Sequence, residues 1–496
     1  MKKSILYVLI LALPASLASC KKWLDLQPQD GIVREEFWKT KEQVESAVVG
    51  IYSSMLGSTI GDRPIPEYLF VWGEGRGDMV SPGFRASAAE LDIVYLNMLS
   101  TNNFCNWRSF YQTINYCNTV IDLAPQVLEH DNTFSQEQLN RATGEALTIR
   151  ALMYFYLARS FGEVPLRLQA TVSDKDIAPL GKSSQDTILH QIVTDLKKAE
   201  PLLPLTYGNK ATDKGRATRY TVNALLADVY LWMDKYNECV AECNKIIKSG
   251  RFGLVRAEQF FNSVFLEGNS NESIFELQYN TQKLNSFYAM HTPGNRRWGA
   301  AFHLSEDVYG IDLVNTEPIV DVRGDKTSFR GTDFTIWKYV GADNDGRELR
   351  PFEQSDAHWI FYRYADILLL KAEAINQLDQ PLEASRIVKT VRERAHALEL
   401  RAMDSTNKSS MTGYILEERQ RELAFEGKRW YDVLRNAKRN NYEGIQYLLN
   451  MASMSVPSDR LQAALNKLRD KNSHYFPIVT YELQTNSLLV QNPFYK

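Results

Sequence analysis

The sequence predicts a mainly α fold: a scaffold of helical hairpins carrying long irregular loops, with little β-structure. Three observations predict it. Amphipathic helical periodicity recurs along most of the chain. Two helical hairpins share their turn and key small and acidic positions at an offset of 145 residues. Helix-poor stretches rich in Gly, Pro, Asn and aromatic residues separate the helical blocks. The 496 residues are 44% hydrophobic and 24% charged, enough to bury a large core without cross-links.

The first element is a leader. Met1-Lys2-Lys3 is basic, Ile5 to Ala12 is apolar, and Leu17-Ala18-Ser19-Cys20 follows. That order reads as a lipoprotein signal peptide over residues 1–19, cut so that a diacylated Cys20 becomes the first mature residue. Two acyl chains anchor stably where one binds marginally. The alternative is an ordinary signal peptide in which Cys20 is incidental. The apolar stretch is too short to span a bilayer, and no other segment approaches 18 apolar residues. The expected body is residues 20–496: a helical-repeat part over 20–250, then a C-terminal part over 251–496 with a loop-rich insert at about 280–346.

Helices are expected at Glu42 to Met55, Trp107 to Leu123, Gln136 to Phe161, Asp186 to Leu203 and Tyr414 to Arg435. Between them lie the matched hairpins. In Thr218 to Gly250, Ala224, Leu225, Ala227, Val229, Tyr230 and Leu231 fill the first helix, Val240, Ile246 and Ile247 the second, and Asp234-Lys235-Tyr236-Asn237 turns between them. In Tyr364 to Ala397 the turn is Asp379-Gln380-Pro381, and the offset lays Ala372 on Ala227, Asp379 on Asp234 and Glu383 on Glu238. Small residues inside both helices and a tight turn give a tetratricopeptide-like hairpin. Trp107 reads as packing, since Tyr111, Ile114 and Asn118 continue its face. Gly57 to Gly83, with three Pro and six Gly, and Asn280 to Gly346 read as long loops. Loops of that length are commonly functional, and their aromatic content argues for order.

Several chemistries are excluded. Net charge is -3 with no sustained basic stripe, so nucleic acid is not a partner. Cys105, Cys117, Cys239 and Cys243 remain after Cys20; the last two are four apart on a helix, poorly placed to bridge each other, and read with the others as small buried hydrophobes. Without Cys-x-x-Cys or paired His, no metal is expected. No Gly-x-Ser-x-Gly elbow or His-Glu-x-x-His helix occurs. Gly73-Glu74-Gly75-Arg76-Gly77-Asp78 departs from a dinucleotide loop at its third Gly, and Asp343-Asn344-Asp345-Gly346 departs from an EF-hand loop. No cofactor or catalytic residue is assigned.

A more specific pattern lies in the helices. Gly144 to Phe155 leads through Leu157 to Phe161-Gly162-Glu163-Val164-Pro165-Leu166. Gly215-Arg216-Ala217-Thr218, Arg363-Tyr364-Ala365-Asp366-Ile367-Leu368-Leu369 and Val391-Arg392-Glu393-Arg394-Ala395 follow. The longest run goes from Ile415 through Arg421-Glu422-Leu423-Ala424-Phe425-Glu426-Gly427-Lys428-Arg429-Trp430-Tyr431-Asp432, and Phe476-Pro477-Ile478 and Gln491-Asn492-Pro493 close the chain. With Cys20 and Leu24-Asp25-Leu26-Gln27-Pro28, these resemble the SusD/RagB family of nutrient-binding outer-membrane lipoproteins of Bacteroidetes. Val479-Thr480 departs from the family pattern, which has a second Pro there.

The long run carries fold rather than chemistry. Leu423, Ala424, Trp430 and Leu434 fall at helical spacing for the core, while Arg421, Glu422, Glu426, Arg429 and Asp432 supply partners three to four residues apart. Flanking arginines would hold Glu422 and Glu426 ionised, against a catalytic role.

The resemblance implies a cell-surface, lipid-anchored receptor that binds an oligomeric nutrient and delivers it to a SusC-like TonB-dependent outer-membrane transporter. A glycan is the first reading, a peptide the second, and an anchored hydrolase the third. Aromatic rings stack sugar C–H faces while Asp, Asn and Arg bind hydroxyls, and the same groups suit peptides. The candidate ligand residues are those on non-helical segments: Trp72, Arg76 and Asp78 in the first loop, and Tyr288, Arg296, Trp298 and Trp337 in the second. For each aromatic, core packing is the competing reading. Phe84 and Arg85 are weaker candidates, and Asp321 with Arg323 reads as a structural pair.

Overall fold

Thr40, Ser135, Ser184 and Thr218 start four scaffold helices in the same way: each side-chain hydroxyl accepts a hydrogen bond from the backbone N–H three residues on. The computed structural model describes residues 37–57, 63–173, 178–316 and 318–496, so the leader and Cys20 lie outside the described residues. The scaffold helices are α1 (Lys41–Met55), α2 (Arg108–Leu123), α3 (Gln136–Phe161), α4 (Gln185–Ala199), α5 (Arg219–Trp232), α6 (Tyr236–Lys248), α7 (Tyr364–Gln377), α8 (Pro381–Ala395) and α9 (Lys408–Glu422). Each packs on the next: α1 on α2, α2 on α3, and so on to α8, with α9 lying across α7 and α8. The protein is mainly α, about 57% helical.

The two matched hairpins are alike down to their hydrogen bonds. Asp234 and Asp379 both take left-handed backbone, at φ 57° and 62°, a conformation Asp tolerates better than most residues. Lys235 N–H donates to Tyr230 C=O and Gln380 N–H to Ile375 C=O; Asp234 N–H donates to Leu231 C=O and Asp379 N–H to Asn376 C=O. Every atom in the second set is the first shifted by 145 residues. Moreover, α6 packs directly on α7, so the hairpins stack as neighbours although residues 249–363 intervene.

The strands are short antiparallel pairs that fasten loops to this stack. Val80–Pro82 pairs with Trp298–Ala300, and Ser273–Leu277 with Trp359–Arg363. Cys105, Cys117, Cys239 and Cys243 are buried free thiols, as expected. No helix among the described residues is long and apolar enough to cross a membrane.

Two expectations need correction. The Gly57 to Gly83 stretch is not all loop: Ile65–Glu74 is an α-helix with all ten residues buried. Pro64 and Pro66 stand at its start, where a missing N–H costs nothing. Gly73 inside it lets two backbones touch, since a Cβ there would lie 2.1 Å from the Gly427 carbonyl oxygen. Gly73→Ala is therefore expected to cost about 1–3 kcal/mol by overpacking, read as a lower urea midpoint. An unchanged midpoint would mean that the helix can shift freely.

The run from Tyr414 to Arg435 is also not continuous helix. It breaks between Glu422 and Arg429, with Phe425 at φ 66° and Gly427 at φ 71°. Leu423, Ala424, Trp430 and Leu434 are still buried. Arg421 pairs with Glu418 and Asp432 with Arg435 at helical spacing, as expected, while the corner turns Glu422 and Glu426 inward to partners distant in sequence. Glu422 meets Arg363 at 2.5 Å, Arg323 at 2.9 Å and Arg394. Glu426 meets Arg363 and Lys338, at 3.0 and 2.8 Å. Arg323 also holds Asp321 at 2.7 Å and Glu418 at 2.5 Å, fully buried, which makes the Asp321–Arg323 pair structural as expected. The surrounding guanidiniums hold Glu422 well below the ordinary carboxylate range, against the opposing effect of burial.

Candidate ligand groove

The sequence-predicted site residues do not form one site. Trp72, Trp298 and Trp337 are fully buried. Trp72 stacks on Phe110 at 4.6 Å and donates its indole N–H to the Phe104 carbonyl at 2.7 Å. Trp298 donates to Glu90 Oε1 at 2.8 Å, and Trp337 to the Asp343 carbonyl at 2.7 Å. Arg76 is buried between the Trp430 and Phe476 rings, 3.8 and 4.0 Å from their centroids. It donates to the His474 carbonyl, and burial pulls it down to about 10. These four residues present no surface to a ligand. Loops normally run over the outside; here Trp72 lies on the buried Ile65–Glu74 helix and Trp298 on a buried strand, and their large rings fill the middle of the body.

Asp78, Tyr288 and Arg296 each serve different partners. Asp78 is spent on a bidentate pair with Arg429, 2.7 Å at both oxygens, at the edge of a polar cleft. Tyr288 is half-buried, edge-on to Phe352 at 5.5 Å. Arg296 donates to the Asp333 carbonyl and to Thr335 Oγ1, at 2.6 and 3.0 Å. Phe84 is 70% exposed, and Arg85 follows it, with its backbone N–H on the Arg296 carbonyl. Trp107 packs against Tyr111 and Phe161, as its helical spacing predicts.

The two predicted loops meet along the Val80–Pro82 and Trp298–Ala300 strands, and again at a place the sequence did not mark. Lys283 Nζ, from the second, donates to the Gly57 carbonyl of the first at 3.1 Å. Beside that contact, between α1 and α2, lies an open groove of about 740 Å3. Phe37, Trp38 and Tyr116 give it aromatic walls, and Ser53, Gln112 and Lys283 add polar groups. Tyr116 is 42% exposed. The Gln112 amide, the Tyr116 hydroxyl and the Ser53 hydroxyl have no hydrogen-bond partner among the described residues.

Among the described residues, Lys283 is the one Lys, Arg, Asp or Glu in this lining, and no His or Cys joins it. The groove can therefore stack rings and exchange hydrogen bonds. Gln112 and Tyr116 sit four residues apart on the outward face of a helix the sequence predicts. A tyrosine on that polar face was the available signal.

Comparison with known proteins places the fold. Residues 321–495 match the SusD family model, and residues 22–231 match a model described as starch-binding and associating with the outer membrane. A SusD-like protein of Formosa agariphila is 26% identical, over 88% of this chain and 91% of its own. Another, of Bacteroides ovatus, is 24% identical over 86% of this chain and 82% of its own. A solved SusD-like structure from Bacteroides fragilis aligns with a TM-score of 0.72 at 21% identity, covering 94% of this chain and 99% of that one. With both ends of the chain matched and the helical architecture shared throughout, the chain belongs to the SusD/RagB family.

Proposed function

We propose that this protein is a cell-surface lipoprotein, anchored to the outer membrane through acylated Cys20. It holds an oligosaccharide in the groove between α1 and α2 and delivers it to a SusC-like TonB-dependent transporter. It binds its ligand and does not transform it. The observation that carries the binding step is the groove lining: aromatic rings beside amide and hydroxyl groups that the protein itself leaves unpaired. A sugar ring offers an apolar C–H face to Tyr116 and hydroxyls that both donate and accept, matching Gln112 and Ser53. A single cation, already donating to Gly57, gives little to the charged termini and side chains of a peptide.

The family supports the address, since one matching model is described by outer-membrane association. It also supports the ligand class. A SusD-like carbohydrate-binding protein from Bacteroides fragilis shares this fold with a TM-score of 0.70 at 19% identity, over 92% of this chain and 100% of that one. The lipid anchor and the transporter rest on the Cys20 signal and the family resemblance.

Screening the purified protein against glycan and peptide libraries tests this reading, followed by calorimetry with the best ligand. Tyr116→Ala is expected to weaken oligosaccharide binding by about tenfold or more, equivalent to about 1.4 kcal/mol. The melting temperature should stay unchanged, because the ring is partly exposed. Micromolar peptide binding with no glycan binding would sink the sugar reading. Unaltered glycan affinity in Tyr116→Ala would move the site elsewhere.

A further inference from the structure

The groove shares a wall with a second cavity. On the neighbouring flank of α2 lies an opening of about 630 Å3, bounded by Trp107, Arg108, Tyr111, Asn115, Glu482 and Leu489. Gln112 lines both cavities. The helix explains the arrangement. Residues 112, 116, 119 and 120 form one stripe, residues 108, 111, 115 and 118 the adjacent one, and 112 falls on the boundary between them. The amide that stands there has unspent donors and an unspent acceptor among the described residues.

The second cavity has fixed walls. Asn115 exchanges both hydrogen bonds with the backbone of Thr171, donating to its carbonyl at 3.0 Å and accepting from its N–H at 2.7 Å. Asn118 donates to the Arg167 and Gln169 carbonyls. Tyr111 donates to the Pro165 carbonyl at 2.5 Å. The far wall is therefore lashed to α2 before any ligand arrives, which lowers the ordering cost of binding. Its chemistry differs from that of the first groove, because the carboxyl of Glu482 and the guanidinium of Arg167 line it. The Glu482 carboxyl is half-buried, and that burial pushes it above the ordinary carboxylate range against the opposing effects of Trp107 and Arg108.

We infer that the two cavities form one binding track across the outer face of α2, and that it takes a linear oligosaccharide long enough to lie over Gln112 and fill both. This rests on the reading of the first groove as a sugar site. Either cavity alone has the size of an ordinary small-molecule site, about 300–1,000 Å3. A mono- or disaccharide would occupy one and leave the other empty. A chain crossing at Gln112 meets the uncharged aromatic groove first. It then places hydroxyl or amino groups on the Glu482 carboxyl, so the far portion of the ligand is the more polar.

The test is a length series of the best-binding oligosaccharide, titrated against wild type, Tyr116→Ala, Ala178→Trp, Gln112→Ala and Glu482→Gln. Ala178 is an exposed residue lining only the second cavity, so an indole there obstructs that cavity and leaves the first open. Wild-type affinity is expected to climb with length and then level off. Ala178→Trp should bind short oligomers as wild type does and lose the gain at full length, about tenfold. Glu482→Gln should show the same length-selective loss, and it carries the test if the bulky variant melts early, whereas Gln112→Ala, which lines both cavities, should weaken oligomers of every length.

Two results would overturn the track: a wild-type affinity indifferent to length, or full length-dependent gain in both Ala178→Trp and Glu482→Gln. If Tyr116→Ala binds every oligomer as wild type does, the first groove itself is misassigned, a failure distinct from a broken track.

Discussion

Glu422→Ala is expected to be the most damaging single change in the molecule. The carboxylate lies fully buried against Arg323, Arg363 and Arg394. Removing it takes a shared carboxylate from three guanidiniums in a dry interior, leaving them on Asp321, Glu418, Glu426 and Glu272, and breaking a buried pair typically costs about 3–5 kcal/mol. A loss of that size or greater should appear in urea unfolding, or as failure to fold. A cost below about 1 kcal/mol would show that water reaches the network.

The same network sets an acid limit. Glu422, Glu418 and Glu426 are all held below their ordinary range in the folded state, and Asp366, paired with Lys428 and Arg419, is brought down to about 2. For carboxylates depressed in this way, the stabilisation is fully present above their unfolded values of about 4. It drains away as pH falls through the folded values. Stability should therefore drop steeply between about pH 4 and pH 2, followed by helical circular dichroism. A flat profile there would contradict the ion-pair account.

Trp298→Ala comes next. The sequence reading treats this residue as a ligand contact, so that its loss would weaken binding and spare the fold. The structure reverses that expectation. The ring is fully buried, edge-on to Phe70 at 6.0 Å, and its N–H serves the buried Glu90 carboxylate. Truncation should cost about 3–5 kcal/mol through the cavity left behind. It also removes a donor from a carboxylate that still pairs with Arg297 at 2.7 Å. Trp298→Phe should recover much of the packing without the hydrogen bond, and so fall between the two in melting temperature. A stable Trp298→Ala protein with weakened ligand binding would restore the residue to the site.

What could be read in advance followed from periodicity. The hairpins at Asp234 and Asp379 were legible because a turn between two amphipathic helices is a local pattern, and the offset pairing survives in their backbone hydrogen bonds. Ile65–Glu74 was hidden by the Pro and Gly around it, although those residues mark its start and its close approach to Gly427. The partners of Glu422 lie 28 to 99 residues away, beyond the reach of any spacing rule. The site was hardest to read. Whether a ring faces solvent depends on the path of the whole chain, so Trp72, on a buried helix, and Trp298, on a buried strand, went inward while Tyr116, on α2, faces the groove. The two family models also leave residues 232–320 between them, and that interval holds Lys283, Tyr288, Arg296 and Trp298.

The stacking of α6 on α7 has a consequence for how such a protein can change. Because those helices pack directly, the excursion between them leaves and rejoins the scaffold at one point. The pairing of Ser273–Leu277 with Trp359–Arg363 draws its base shut like the neck of a bag. Lengthening a closed loop is cheap, about 0.6 kcal/mol per doubling. The exposed stretch around Leu313 and Val314 can therefore lengthen or shorten between relatives at little cost, whereas Trp298, Arg323 and Trp337, buried in the body, bind the rest of the excursion to the scaffold.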